Sequence, residues 1–273
     1  MKEGIKLELY RAFHSRTYVF ALVIACLIAI AQVIAEAVPL IGGYAGEADN
    51  ITYPPSLYNT CLMLNFAGFY GYLYYYASIL LGTIAYGISY YTDLRGGYIK
   101  NLYTRMNRNG YLAGKYLAVF LSAGSICVIP LVLNLYLTAL LIPALIPQPG
   151  TRQFAIVAQA MFSDIFYSHP MVYIGIYLLI DFFIAGLFAC MALTVSRLLY
   201  NRYVLYFFPF ILFILLQTIL GYTKWNAAGP YTIMQPVQPD LENFGVVVIE
   251  IVVLFVVSVG GYVLGGGRKH EAL

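Results

Sequence analysis

Six runs of about twenty or more apolar residues, set apart by short polar stretches, decide what this chain can fold into. They cover residues 17–37, 66–91, 114–141, 170–196, 203–222 and 244–264. A helix of roughly 20 residues spans the hydrocarbon of a bilayer, and each run reaches that length. The expected fold is therefore an all-α integral membrane protein, a single transmembrane domain over residues 1–273. Composition agrees: 62% of residues are hydrophobic and only 10% are charged, against about 25% charged in soluble domains. No polar segment is long enough to bury a core of its own. The motif Ala35-Glu36-Ala37 imitates a signal-peptidase site, but the apolar run before it exceeds a signal core, so we read a retained helix.

Charge orders the spans. On one side of a six-span topology lie Lys2, Lys6, Arg11, Arg16, Arg95, Lys100, Arg105, Arg108, Lys115, Arg197, Arg202, Arg268 and Lys269. Only Arg152 and Lys224 lie on the other. The positive-inside rule makes the first side cytoplasmic, with both termini there, in a plasma membrane. Residues 2–15 form an amphipathic segment with Ile5, Leu9, Ala12 and Phe13 on one face, suited to lying in the membrane interface before the first span. The outer loops are 38–65, acidic and turn-rich; 143–169, with an amphipathic helix presenting Phe154, Val157, Met161 and Ile165; and 223–243, irregular around its prolines.

Catalytic chemistry is not legible. The stretch Gly110–Lys115 has the wrong spacing for a phosphate loop and no hydroxyl after the lysine. His14, His169 and His270 lie near surfaces or termini, so no metal site is expected. Cys26, Cys61, Cys127 and Cys190 offer no external pair and read as small buried residues. No enzyme activity, cofactor or nucleic acid partner is expected of this chain itself.

Polar residues inside spans are costly, roughly 2.5–3.5 kcal/mol for a charge at the bilayer centre. Asp181 lies near the middle of the fourth span and Glu250 in the sixth. Either they line a translocation path together with Asn134 and Gln217, or they hydrogen-bond those two residues between helices. Tyr70, Tyr72, Tyr74, Tyr75 and Tyr76 form either an interfacial aromatic belt or a substrate-facing wall. Pro130 and Pro209 interrupt the backbone ladder of their spans, and Gly110-x-x-x-Gly114 and Gly261-x-x-x-Gly265 permit close helix contact.

Between spans two and three runs the longest strongly polar stretch. Tyr98, Ile99, Leu102, Tyr103 and Met106 share one helical arc, while Lys100, Asn101, Arg105 and Arg108 fall opposite. Asp93 is placed to cap the start and Gly110 to end the turn. A short basic amphipathic helix over 94–106 is expected there, packing on the membrane surface or in a protein groove. Gly96 and Gly97 favour the groove, since they allow close backbone approach.

The order of these parts resembles the type-2 exporter permeases of the ATP-binding-cassette superfamily over nearly the whole chain. The closest local match is Asp93-Leu-Arg-Gly-Gly-Tyr-Ile-Lys-Asn-Leu-Tyr followed by Arg108 and Gly114-Lys115, although Asp93 stands where glutamate is usual and the proline before the arginine is missing. The resemblance implies a coupling helix, with Asp93, Leu94, Arg95, Gly96, Gly97, Tyr98, Ile99, Leu102, Tyr103, Arg105 and Met106 contacting a separate ATPase subunit. It implies ATP and magnesium in that partner, a second permease chain (the same or another), and outward movement of a substrate. The alternatives are a non-transporting membrane sensor or immunity component, and an ion-coupled secondary transporter using Asp181 and Glu250.

Overall fold

A computed structural model describes residues 2–41, 55–65, 68–103, 107–148, 154, 156, 160–223, 225–238 and 243–267; for 2, 3, 100, 101, 103 and 264–267 it describes the backbone alone. Every regular element among them is helical. In chain order these are α1 Lys2–Phe13, α2 Arg16–Gln32, α3 Leu57–Thr60, α4 Phe69–Gly82, α5 Ser89–Arg95, α6 Tyr98–Tyr103, α7 Arg108–Leu141, α8 Ser163–Ser168, α9 Pro170–Val195, α10 Arg202–Gly221, α11 Pro230–Met234 and α12 Phe244–Gly267. Five stretches are long and apolar enough to cross a membrane: Arg16–Leu40, Arg108–Leu141, Pro170–Val195, Arg202–Gly221 and Phe244–Val263.

The remaining expected span, 66–91, is not among them. α4 runs directly into a π turn at Thr83–Gly87, as α2 runs into one at Val33–Ala37, and the helix is interrupted only at Ile88, before α5. What sets this stretch apart is its cluster of Tyr70, Tyr72, Tyr74, Tyr75 and Tyr76, which makes it less apolar than the other five. Inside the π turn the Ala85 carbonyl accepts a hydrogen bond from the Thr17 hydroxyl at 2.8 Å and from the Ser15 hydroxyl at 3.4 Å. Ser15 also caps α2, accepting from the Tyr18 amide at 3.1 Å. One short segment thus starts a helix and satisfies the irregular backbone of another, as a non-aqueous setting requires.

At the centre α7 and α9 pack on each other. Gly124 faces the ring of Phe182, and Gly186 faces the ring of Phe120; a Cβ on either glycine would overlap that ring. Each helix therefore receives an aromatic knob into a notch of the other. α2 and α4 lie against α7, while α10 and α12 lie against α9. The outward faces of α10 and α12 are bare and apolar, with Phe207, Ile211, Val252 and Phe255 exposed, as a lipid-facing surface should be. Both α7 and α10 continue through their internal prolines. All four cysteines are free.

Two loop expectations change. Among the described residues of the expected helix, Phe154, Ile156 and residues 160–162 are not helical. Phe162 is left-handed (φ 60°), so the regular part starts only at α8, and Phe154 and Met161 are buried by other routes; Val157 lies outside the described residues. The loop before α12 is not merely irregular either. It contains α11, and residues 229–238 are buried throughout. Tyr231 of α11 stacks between Tyr72 and Tyr76, at 5.6 and 5.2 Å between centroids. Tyr74 and Tyr75 are fully buried and face the protein interior, whereas Tyr72 is exposed and Tyr70 and Tyr76 are half-buried.

Candidate functional site: a buried cluster of four charges

The site begins with glycine. α1 lies against the first turns of α7 at backbone contact distance. A Cβ on Gly4 would come within 2.9 Å of the Gly110 carbonyl oxygen, and one on Gly114 within 2.8 Å of the Gly4 carbonyl oxygen. The stripe that α1 buries is Gly4, Glu8 and Ala12, spaced four residues apart. It is not the Ile5–Leu9–Phe13 face, since Ile5 and Leu9 are half-buried and Phe13 is exposed. An acidic side chain is thereby carried into the interior beside Lys115, on α7 next to Gly114.

Glu8 and Lys115 have no exposed surface, and Asp93 in the last turn of α5 is 4% exposed. The Lys115 ammonium reaches Glu8 at 2.5 Å and Asp93 at 2.6 Å. Arg11, one turn beyond Glu8, donates to Glu8 at 2.7 Å and grips both Asp93 oxygens at 2.9 and 3.2 Å. Tyr86 donates to Glu8 at 2.8 Å and Tyr111 to Asp93 at 2.9 Å. The Lys115 ammonium also lies over the Tyr86 and Tyr111 rings, and the Arg11 guanidinium over Tyr98, 4.8 Å from its centroid. Two cations and two anions close into a neutral set, which is how charges survive burial.

The perturbed groups report the same balance. Burial alone would lower the Arg11 guanidinium, but its bond to Asp93 and the charge of Glu8 outweigh burial and hold it above its ordinary value. Burial would raise Asp93, yet the Arg11 hydrogen bond and the Lys115 charge hold it below its ordinary 3.8. A cleft of about 200 Å³ opens beside the cluster, lined by Arg11, Ser15, Ser89, Thr92, Asp93 and Tyr206 among others.

α5 is tied on its other faces too. The Arg197 side chain at the end of α9 donates to the Tyr90 hydroxyl at 3.0 Å. The Tyr91 hydroxyl donates to the Tyr200 carbonyl at 2.5 Å, and Arg95 stacks on the Tyr200 ring at 4.4 Å. One short helix thus joins α1, α7, α9 and the turn before α10.

The residues expected to meet an ATPase divide here. Asp93 does not cap a following helix; it sits inside α5 and is spent on Arg11 and Lys115. The helix expected over 94–106 is bent at Gly96 and Gly97, with Gly97 left-handed (φ 69°), a conformation only glycine adopts without strain. Beyond the bend, Ile99 and Leu102 turn inward and pack with Ala12, Tyr90 and Tyr111. They rest on neither a membrane surface nor a partner's groove, because the chain's own helices cover them. Leu94 is half-buried; Arg95, Gly96 and Tyr98 remain exposed, Gly97 partly so. The Tyr103 side chain, Arg105 and Met106 lie outside the described residues.

The four path candidates are not brought together. Asn134 donates to the Ala29 carbonyl at 3.0 Å and to Gln32 at 2.6 Å, and accepts from the Leu62 amide at 2.8 Å. Gln32 and Asn65 both donate to Glu36, at 2.9 and 2.6 Å, so Glu36 is part of that knot. Gln217 accepts from the Tyr231 amide at 3.0 Å and donates to Thr232 at 3.1 Å, holding α11. Neither amide bonds Asp181 or Glu250. Asp181 is buried in mid-α9 with both oxygens unpartnered, and one Glu250 oxygen is likewise unpartnered.

Sequence reasoning missed Glu8 altogether; it had Lys115 as a cytoplasmic charge and as part of the local family match, but not as a partner of Asp93. The available signal was the stripe Gly4, Glu8, Ala12, which places an acid on the narrowest face of α1. Comparison with protein-family models, curated proteins and solved structures finds no match to this chain.

Proposed function

We propose that this chain is the membrane permease of an ATP-binding-cassette exporter of the type-2 kind, with α4, the π turn and the start of α5, up to residue 91, forming a composite sixth span. Its basic end is cytoplasmic in the plasma membrane. It works beside a second permease chain and two separate ATPase subunits, which bind ATP and magnesium. The observation that carries this reading is the buried cluster at the root of the α5–α6 bend. Asp93, three residues before Gly96, is clamped to α1 and α7, and Arg95 rests on the turn before α10. A displacement applied to the bend is therefore delivered to several long helices at once.

The inward turn of Ile99 and Leu102 narrows the docking face. It consists of Arg95, Gly96 and Tyr98, with Tyr200 alongside, the last two 38% and 78% exposed. The test uses affinity-purified chain from cells that also express the candidate ATPase. The wild type should carry magnesium-dependent ATP hydrolysis with it, and Arg95→Ala with Tyr98→Ala should lose that activity while the chain still accumulates. A double variant that keeps the ATPase sinks this docking face; wild-type preparations that never carry one sink the permease reading. Leu102 is a poor probe, because changing it also removes internal packing.

A further inference from the structure

Asp181 has no exposed surface, and neither carboxylate oxygen has a hydrogen-bond partner. Three elements surround it. α4 contributes Tyr74 and Tyr75, α7 contributes Cys127, and α9 itself carries Tyr177 one turn earlier. Cys26 and Tyr231 form the next layer, acting on Tyr74 and Tyr75. Tyr74 is already committed to the Cys127 carbonyl. The Tyr75 hydroxyl bears on Asp181 and, like it, has no bond of ordinary geometry.

None of these neighbours is a base. Among the described residues the buried cation, Lys115, is held by Glu8 and Asp93, and Arg11 is held by the same pair. Arg197 is engaged with Tyr90. A buried carboxyl group with no counter-charge from its own chain is costly to keep in an apolar interior. What completes it must come from outside and be small, because the Gly124–Phe182 and Gly186–Phe120 contacts hold α7 and α9 together at this level. Among the described residues no group of three or more His, Cys, Asp or Glu could hold a multivalent metal.

We propose that Asp181, with the Tyr75 hydroxyl, binds one monovalent cation taken from outside the chain, a proton or a bare alkali ion. Because the site is shared between α4 and α9, separating those helices exposes the carboxyl to water and releases the cation. Helix movement and cation occupancy are then linked, whatever drives the movement; this holds independently of the ATPase reading.

The test is the melting of the purified chain in lipid nanodiscs. One arm lowers the pH from about 8 to about 6 with choline as the only other cation; the second holds pH and replaces choline by sodium or potassium. Wild type should be stabilised in one arm, its folded-to-unfolded ratio rising by up to roughly tenfold per tenfold rise in the bound cation. Asp181→Asn should lose that response, and Glu250→Gln should keep it. Stabilisation by pH assigns a proton and stabilisation by salt an alkali ion; equal responses of wild type and Asp181→Asn in both arms overturn the site. If Asp181→Asn does not accumulate, Tyr75→Phe retains the carboxyl and should shift the midpoint of the wild-type response; an unmoved midpoint also overturns the site.

Discussion

Asp93 and Asp181 are both buried aspartates, and their surroundings are opposite. Asp93 accepts from Arg11, Lys115 and Tyr111, and its charge is cancelled within the chain. Asp181 has no hydrogen bond of ordinary geometry, only the Tyr75 hydroxyl bearing on it. The first is a structural joint whose charges hold each other in place and bind three helices into one body. The second is an incomplete site, a polar group in an otherwise satisfied interior. Burial by itself does not reveal a carboxylate's role; whether its partners are supplied by the chain does.

The largest effect should come from breaking the complete set. Lys115→Met leaves Glu8 and Asp93 facing each other with only Arg11 between them, and breaking a buried pair from one side costs about 3–5 kcal/mol. Chemical unfolding in detergent should show a loss of that order, or the variant should fail to accumulate. Adding Glu8→Gln removes one of the two stranded charges and should restore a large part of the loss. No recovery in the double variant would mean that Lys115 acts through packing rather than charge.

Next in size is the contact that brings the charges together. In Gly114→Ala the new methyl meets the Gly4 carbonyl at 2.8 Å, and neither backbone can yield freely. Overpacking of this kind costs about 1–3 kcal/mol. Measured by the same unfolding experiment, it should also make α1 more accessible to proteolysis. Unchanged stability would show that α1 is seated more loosely than these distances require.

A gentler probe removes the Asp93 charge by degrees. Its folded-state value lies below the ordinary 3.8, so its contribution to stability is complete above the ordinary carboxylate range. That contribution is lost as pH falls below 3.8 toward the depressed value, where the folded state too takes up the proton. Wild type should therefore show an acid-side loss of stability that Asp93→Asn, already weakened at neutral pH, shows to a smaller extent. Parallel acid limbs would assign the loss to another carboxylate.

How much of this could be read from the chain depends on the range of the interaction. The long apolar runs are legible because hydrocarbon thickness acts on each segment separately. The irregular turn inside 66–91 is not, because the groups that meet its Ala85 carbonyl, Thr17 and Ser15, lie about seventy residues away. Asp181 stands out by depth alone, yet the sequence pairs it equally well with Asn134 or Gln217; only the fold shows both amides occupied elsewhere. The amphipathic arc of 98–106 is genuine in Ile99 and Leu102, but an arc does not say which surface covers it. Glu8 was hidden because one acid among basic neighbours looks solvated until the glycine contact to α7 is known.

The smallest expected effect gives the comparison its sharpest form. Asparagine has the shape of aspartate, and at Asp181 no hydrogen bond is lost on substitution. Asp181→Asn should therefore change stability by less than about 1 kcal/mol in choline at about pH 8, the condition that favours cation occupancy least. Asp181→Leu removes the unpartnered polar group outright, and replacing such a group by an apolar one of similar volume is close to neutral or stabilising. The same two changes at Asp93 should both be strongly destabilising, since each leaves Arg11 and Lys115 with Glu8 as their one shared counter-charge. Four variants and one unfolding assay thus separate the two kinds of burial. A severe loss in Asp181→Leu, comparable to Asp93→Leu, would mean that Asp181 has a structural partner after all, and the contrast between the two aspartates would fail.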